Sequence, residues 1–194
     1  MAGRHKLFDE KELIKKALTV FWKKGYHMSS ADELITAMGV STGSFYLSFK
    51  GGKKELYQKT LVQFASNCNN DFRNKLMQQE NPVLYIKEFF LSMTDTPAFL
   101  QAVGCYLGNS LIEMSTTDQH SRELIVTLLK EIEAVFCEAL RKAQVSGFLK
   151  TTQSPELLGR HLINLWNGIN VTRRMYGHDG FTKEMIELNL KVLE

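Results

Sequence analysis

Apolar side chains recur every three or four residues along most of this chain, and glycine, serine or proline punctuates them. Ile14, Ala17, Leu18 and Phe21 fall on one helical face, and Gly25 closes that run. Asp9 followed by Glu12 forms a capping box ahead of it, the Asp accepting from a free amide while the Glu reaches back. Ser30 and Glu33 repeat the device before "LITAM", and Gly39 ends a short second helix. Ser41 caps a third helix of roughly two turns through Leu47. At about 1.5 Å per residue this helix is only ~10 Å long, and one so short must be held by its neighbours.

Longer patterns follow. One runs from about Lys53 to Gln79, and "PVLYIKEFFLSM" begins with Pro82 at a permitted helix start. "PAFLQAVGCYLGNSLIEMS" comes next, then a broad amphipathic stretch over 120–145 that Gly147 ends. Ser154 caps, and Pro155 opens, a helix over 155–176, and "TKEMIELNLKVLE" supplies the last. With only three prolines and no alternating β-branched run, the chain is predicted to be all-α, with nine or ten helices.

Charge changes this picture by dividing it. Residues 1–60 carry 11 Lys and Arg against 6 Asp and Glu, a net of +5, whereas residues 61–194 carry 13 against 15, a net of −2. A basic front end on a mildly acidic remainder is suited to an anionic partner. The division predicts a head over residues 1–57 and a larger second domain over 58–194. Cys68, Cys105 and Cys137 have no metal-ligand or disulfide spacing, which favours a reducing compartment. No signal-like N-terminus and no apolar run of membrane-spanning length are present, so a soluble, cytoplasmic protein without a membrane partner is expected.

The stretch "GVSTGSFYLSFKGGKKELY", residues 39–57, is where chemistry concentrates. A short helix, a glycine turn and a second short helix make a helix-turn-helix. Gly39 tolerates a positive φ at the tight turn, and Val40 fills the angle between the helices. Ser41, Thr42, Gly43 and Ser44 then form a first turn of small residues, which lets a helix enter a major groove about 12 Å wide. Tyr46 offers a hydroxyl to a phosphate. Ser29 and Ser30 add hydroxyls and helix-start amides that favour phosphate, and Lys53 and Lys54 add charge. Phe45 and Phe49 are predicted to point inward. A polar turn in an ordinary helical bundle is the competing reading.

Residues 9–57 resemble the N-terminal domain of the TetR family of transcriptional regulators. The resemblance rests on Ala17…Phe21…Gly25-Tyr26, Ser29-Ser30, Gly39-Val40-Ser41, Gly43-Ser44, Tyr46-x-x-Phe49, and the Lys53-x-x-Leu56 start of helix four. It implies a three-helix DNA-binding head followed by a helical dimerisation and ligand-binding bundle. It also implies a homodimer on double-stranded operator DNA, acting as a repressor released by a small-molecule effector. Two positions depart from the family pattern. Ser48 stands where His is frequent, and the spacing from Phe49 to Leu56 is one residue longer than is usual in the family, an insertion within "KGGKK" that leaves open whether Lys53 or Lys54 takes the phosphate.

Within the second domain, Leu124, Leu128, Ile132, Val135 and Leu140 form one apolar face, and Leu158, Leu162, Leu165 and Ile169 form another. These faces are expected to build the dimer interface, the alternative being that they complete the subunit core. Gly159 and Gly168 suit close helix approach. Phe64, Phe89, Met93, Tyr106 and Trp166, with Asn109 as a polar point, are candidate effector contacts, because small-ligand sites are mostly apolar with a few polar groups. The same stripe also suits plain core.

Cys105 lies in "GCYLGNS", similar to a Gly-Cys in some relatives whose cysteine senses electrophiles or oxidants. A thiol near a helix start gains thiolate character, although free cysteine is usually buried and inert. "GGKK" lacks the remainder of a phosphate loop. "HDGFTKE" lacks the acids of a calcium loop, and capping by Asp179 or Thr182 explains it. No catalytic constellation, metal set or cofactor motif stands out. An enzyme or a protein-interaction module that keeps the head as scaffold is the reading from another class.

Overall fold

Asp9 opens the first helix, its carboxylate accepting the Lys11 amide at 3.0 Å. The computed structural model describes residues 9–176 and 181–194, and it contains α-helices joined by short turns. These are α1 (Glu10–Met28), α2 (Ala31–Met38), α3 (Thr42–Ser48), α4 (Gly52–Met77), α5 (Pro82–Leu91), α6 (Ala98–Val103), α7 (Tyr106–Met114), α8 (Gln119–Val145), α9 (Pro155–Tyr176) and α10 (Phe181–Leu190). Single-turn helices of the tighter type follow α5 and α10. Gly25 does not stop α1. It takes φ 81° and kinks the helix, which resumes through Met28. The segment predicted as one helix over 97–115 breaks at Gly104, where φ is 65°.

The chain divides into two compact units, one of residues 1–66 with 109–125 and the other of 67–108 with 126–194. In the first unit, Leu13, Ala17 and Phe21 of α1, Leu34 and Met38 of α2, Phe45 of α3, and Leu56 and Tyr57 of α4 are all buried, with Phe21 edge-on to Tyr57 at 5.1 Å. Phe45 and Phe49, both fully buried, fix the seven-residue α3. Each contributes about 1.5–3 kcal/mol by leaving water, which a helix of this length cannot supply from its own hydrogen bonds.

The second unit is built around α8 and α9. Val135, Leu140, Leu158, Leu162 and Ile169 lie in one core with Ile86 and Phe90 of α5 and Ile186 and Leu190 of α10. Leu165 and partly buried Ile132 join the same core, so most of the two predicted faces completes the subunit core, the alternative to a dimer interface; Leu128 is buried outside this cluster and Leu124 is half-buried. Gly159 is explained by close approach, since a Cβ there would collide with Cys137 of α8, whereas at Gly168 a Cβ would meet nothing within 4 Å. Ser154 caps α9 through the Leu157 amide at 3.2 Å. Asp179 lies outside the described residues, and Thr182 sits inside α10 rather than capping it. Among the described residues, no helix is long and apolar enough to cross a membrane.

Candidate nucleic-acid interface and effector unit

The turn between α2 and α3 follows from Gly39, which adopts the left-handed conformation at φ 72°, ψ 36°. Its amide and that of Val40 both donate to the Ile35 carbonyl, at 3.0 and 3.3 Å, closing the end of α2 and reversing the chain. Ser41 then caps α3, with its Oγ accepting the Ser44 amide at 3.2 Å and sharing a 2.9 Å hydrogen bond with the Ser44 hydroxyl. Ser41, Thr42, Gly43 and Tyr46 are exposed, Ser44 is partly so, and α3 carries no acidic residue. Tyr46 stands edge-on to Phe45 at 4.9 Å, anchored by its ring with half of its surface outward. Ser30 is exposed at the start of α2, its hydroxyl accepting the Glu33 amide at 3.1 Å.

Leu47 joins this surface at 66% exposure and was absent from the sequence candidates. The signal was available, because Leu47 falls out of phase with the inward Phe45 and Phe49. An exposed leucine beside small polar residues can meet a thymine methyl group.

Two predicted contacts do not belong to the outward face. Ser29 is buried; its hydroxyl donates to the Gly25 carbonyl at 2.7 Å, satisfying an acceptor that the α1 kink exposes. Lys53 turns inward, donating to the Ser29 carbonyl at 2.7 Å and lying 4.3 Å from the Tyr26 ring centre. Burial lowers the Lys53 ammonium from the usual lysine value, and the Glu113 charge opposes that shift. Lys54 is ion-paired with Asp118 at 2.7 Å while remaining half exposed. Locally, Gly52 takes φ 62° at the start of α4, and the Gly51 amide is held by Glu55 at 2.7 Å.

Glu113 is the principal residue that the sequence did not disclose. Its carboxylate accepts the amides of Tyr26 and His27, at 2.9 and 2.8 Å, across the kink at Gly25. A Cβ at Gly25 would stand 2.9 Å from that carboxylate, so glycine is required there on two counts. The partners are 86 and 87 residues apart, and nothing local marks the pairing.

In the second unit, Phe89 and Trp166 stack at 5.5 Å with ring planes 12° apart, and Phe72 approaches Phe89 at 4.6 Å. Met93 is buried in the same core, and Tyr106 is buried at the start of α7. Phe64 belongs to the first unit, where it packs edge-on to Trp22 at 5.1 Å, and Asn109 also falls in that unit. Cys105 is buried, its sulfur accepting the Gly108 amide at 3.3 Å. Among the described residues, no group of three His, Cys, Asp or Glu side chains could hold a metal ion.

A helix-turn-helix head with an outward, acid-free third helix, joined to a larger helical unit, defines a DNA-binding regulator. The family model for bacterial regulatory proteins of the tetR family matches residues 13–60, and the one for the tetracyclin repressor-like C-terminal domain matches residues 83–187. The chain belongs to the TetR family of transcriptional regulators. It is similar to the HTH-type transcriptional repressor DhaR of Mycobacterium sp. (strain GP1), at 26% identity over 80% of this chain and 77% of the relative. Among solved structures, a cysteine variant of the regulator CifR bound to operator DNA superposes with a TM-score of 0.83 at 20% identity, covering 98% of this chain and all of the other. FadR from Bacillus subtilis, in complex with stearoyl-CoA, gives 0.73 at 17% identity, covering 95% and 97%.

Proposed function

We propose that this regulator binds operator DNA as a homodimer, inserting α3 into the major groove, and that a small organic effector releases it. The observation that carries the reading is the α3 surface itself: Ser41, Thr42, Gly43, Ser44 and Tyr46 on one short helix, held from behind by two buried phenylalanines. Ser30 at the start of α2, with half-exposed Lys54 in the first turn of α4, supplies phosphate contacts, and Leu47 adds an apolar base contact. Ser29 and Lys53 act indirectly by fixing the end of α1 against the start of α4.

Dimerisation falls to the outward stripe of α9. Leu157, Asn164, Gly168, Val171 and Met175 are exposed at spacings of three, four and seven, and Gly168 leaves room for a partner helix. A twofold dimer would present two α3 helices to successive major-groove faces. Phe89 and Trp166 form the apolar part of the effector site, and α4, α7 and α8 each contribute residues to both units. A coupling of about 1–3 kcal/mol is sufficient to change operator occupancy substantially. The DhaR relative is named a repressor, which favours repression here.

The test is a gel shift with the DNA upstream of the protein's own coding region. Specific retardation that weakens steeply with salt is expected; no retardation at low salt would overturn the reading. A thiol-sensing mode through Cys105 gains less support, because the sulfur is buried and engaged with the Gly108 amide.

A further inference from the structure

On α9, Trp166, Asn170 and Arg173 follow one another at helical spacing and are linked by hydrogen bonds. The Asn170 amide nitrogen donates to the Trp166 carbonyl at 2.9 Å, and its oxygen accepts Arg173 Nη2 at 2.6 Å. The same Nη2 donates to the Leu100 carbonyl on α6 at 3.0 Å. Both acceptors are neutral. Arg173 Nε is sealed from solvent and has no hydrogen-bond partner, and no carboxylate of the described residues pairs with the guanidinium. Burial lowers the guanidinium from the usual arginine value, the Arg174 cation adds to this, and only the Cys105 thiol opposes it. A cation in this position is costly unless an anion joins it.

Capping of α6 does not account for the charge. The Leu100 carbonyl already accepts the Gly104 amide at 3.0 Å, and Arg174 serves the Val103 carbonyl. The sealed, unpartnered donor is the Nε–H, which shares an edge with Nη2, and this is the edge a carboxylate engages side by side. α6 is six residues long with no side-chain cap at its start, so the element covering this edge is weakly anchored. Seven residues along α9, ~10 Å by helical rise, the stacked and half-buried Trp166 and Phe89 offer an apolar surface.

We infer that Arg173 binds the carboxylate of an amphipathic organic acid, which takes the place of the Leu100 carbonyl while its apolar body lies along Trp166 and Phe89. The singly charged, planar carboxylate matches the edge formed by the unpartnered Nε–H and the Nη2–H that Leu100 gives up. Displacing Leu100 moves α6 and, through Gly104 and Cys105, the start of α7, so binding is tied to a structural change. This deepens the effector reading given above and rests on it.

The experiment is calorimetric titration of the full chain with octanoate, decanoate and phenylbutyrate, each beside its neutral amide and beside octyl phosphate. At least one acid is expected to bind about tenfold or more tightly than its amide, as a charge-assisted pair requires. Arg173→Gln should reduce that acid to the affinity of the amide, and Arg173→Lys should recover part of the difference. Absence of binding by all three acids, equal binding of acid and amide, or an Arg173→Gln protein that binds as the parent does would each overturn the inference. Octyl phosphate binding as tightly as the acids would overturn the carboxylate assignment. Thermal melts check that the variants fold, and the acid–amide contrast needs no variant. A gel shift of the parent protein without acid separates the two failures: DNA binding that persists while the acids do nothing sinks only this inference.

Discussion

Lys53 and Arg173 pose the same physical problem in the two units and receive different answers. Both are partly buried, and burial lowers both. Neither is ion-paired with a carboxylate among the described residues. In the head the problem is closed: Lys53 meets the Ser29 carbonyl and the face of Tyr26, and Glu113 adds a negative field. In the second unit it stays open, since Arg173 meets two neutral oxygens and keeps an orphaned Nε. The comparison teaches where each unit keeps its unsatisfied chemistry. At Lys53 the head satisfies its inward cation, and its small polar side chains face outward on α3, whereas at Arg173 the second unit keeps an unsatisfied donor within.

The largest effect that would test this contrast lies on α3. Replacing Ser44 and Tyr46 together by alanine removes two contacts worth about 1–3 kcal/mol each, so gel shifts should show operator affinity falling about a hundredfold or more. Circular dichroism and the melting curve should hardly change, because neither side chain belongs to the buried core. Unchanged operator affinity would remove α3 from the reading surface.

Next in size is the Glu113 clamp. Glu113→Ala leaves the Tyr26 and His27 amides without their acceptor, and a loss of about 1–3 kcal/mol is expected from the denaturation midpoint. Gly25→Ala should cost more than about 1 kcal/mol by the same measurement, because alanine meets both the positive φ and the carboxylate. If both variants melt with the parent, the clamp contributes nothing.

Lys53→Gln separates an inward lysine from a phosphate contact. Each phosphate contact adds about 0.9 to the slope of affinity against salt on logarithmic axes. The slope should therefore stay constant while the melting midpoint falls. A slope reduced by that amount would return Lys53 to the DNA surface.

The smallest effect concerns pH. The Lys54 ammonium, helped by the Ser121 amide and hydroxyl, holds the Asp118 carboxyl below the usual aspartate value. A carboxylate whose folded pKa is depressed stabilises the fold above its unfolded pKa, and that stability is lost as pH falls through the folded value. The parent should thus be more stable than Asp118→Asn at neutral pH, and the difference should shrink below about pH 4. A pH-independent difference would show that the ion pair is not its source.

The elements and caps of the head were legible in the sequence because each depends on residues within four positions. Asp9, Ser30, Ser41 and Gly39 act as their types and spacings predict. The outward set on α3 was legible too, since Phe45 and Phe49 fix its phase. Ser29 and Lys53 do not belong to that surface, because their partners follow from the kink at Gly25 and from the start of α4 at Gly52, which local spacing does not reveal. Periodicity identified the apolar faces of α8 and α9 but not what covers them, and the subunit's own α5 and α10 cover them.

By itself the sequence determined an all-α chain with a capped, glycine-hinged helix-turn-helix, because helix starts, stops and faces are set by local hydrogen bonding and a period of 3.6 residues. Only the tertiary structure decided that Glu113 clamps the end of α1, that Ser29 and Lys53 serve the interior, and that Arg173 is left without an anion. Contacts between residues tens of positions apart leave no trace in local periodicity, and the balance of a buried charge depends on every group around it.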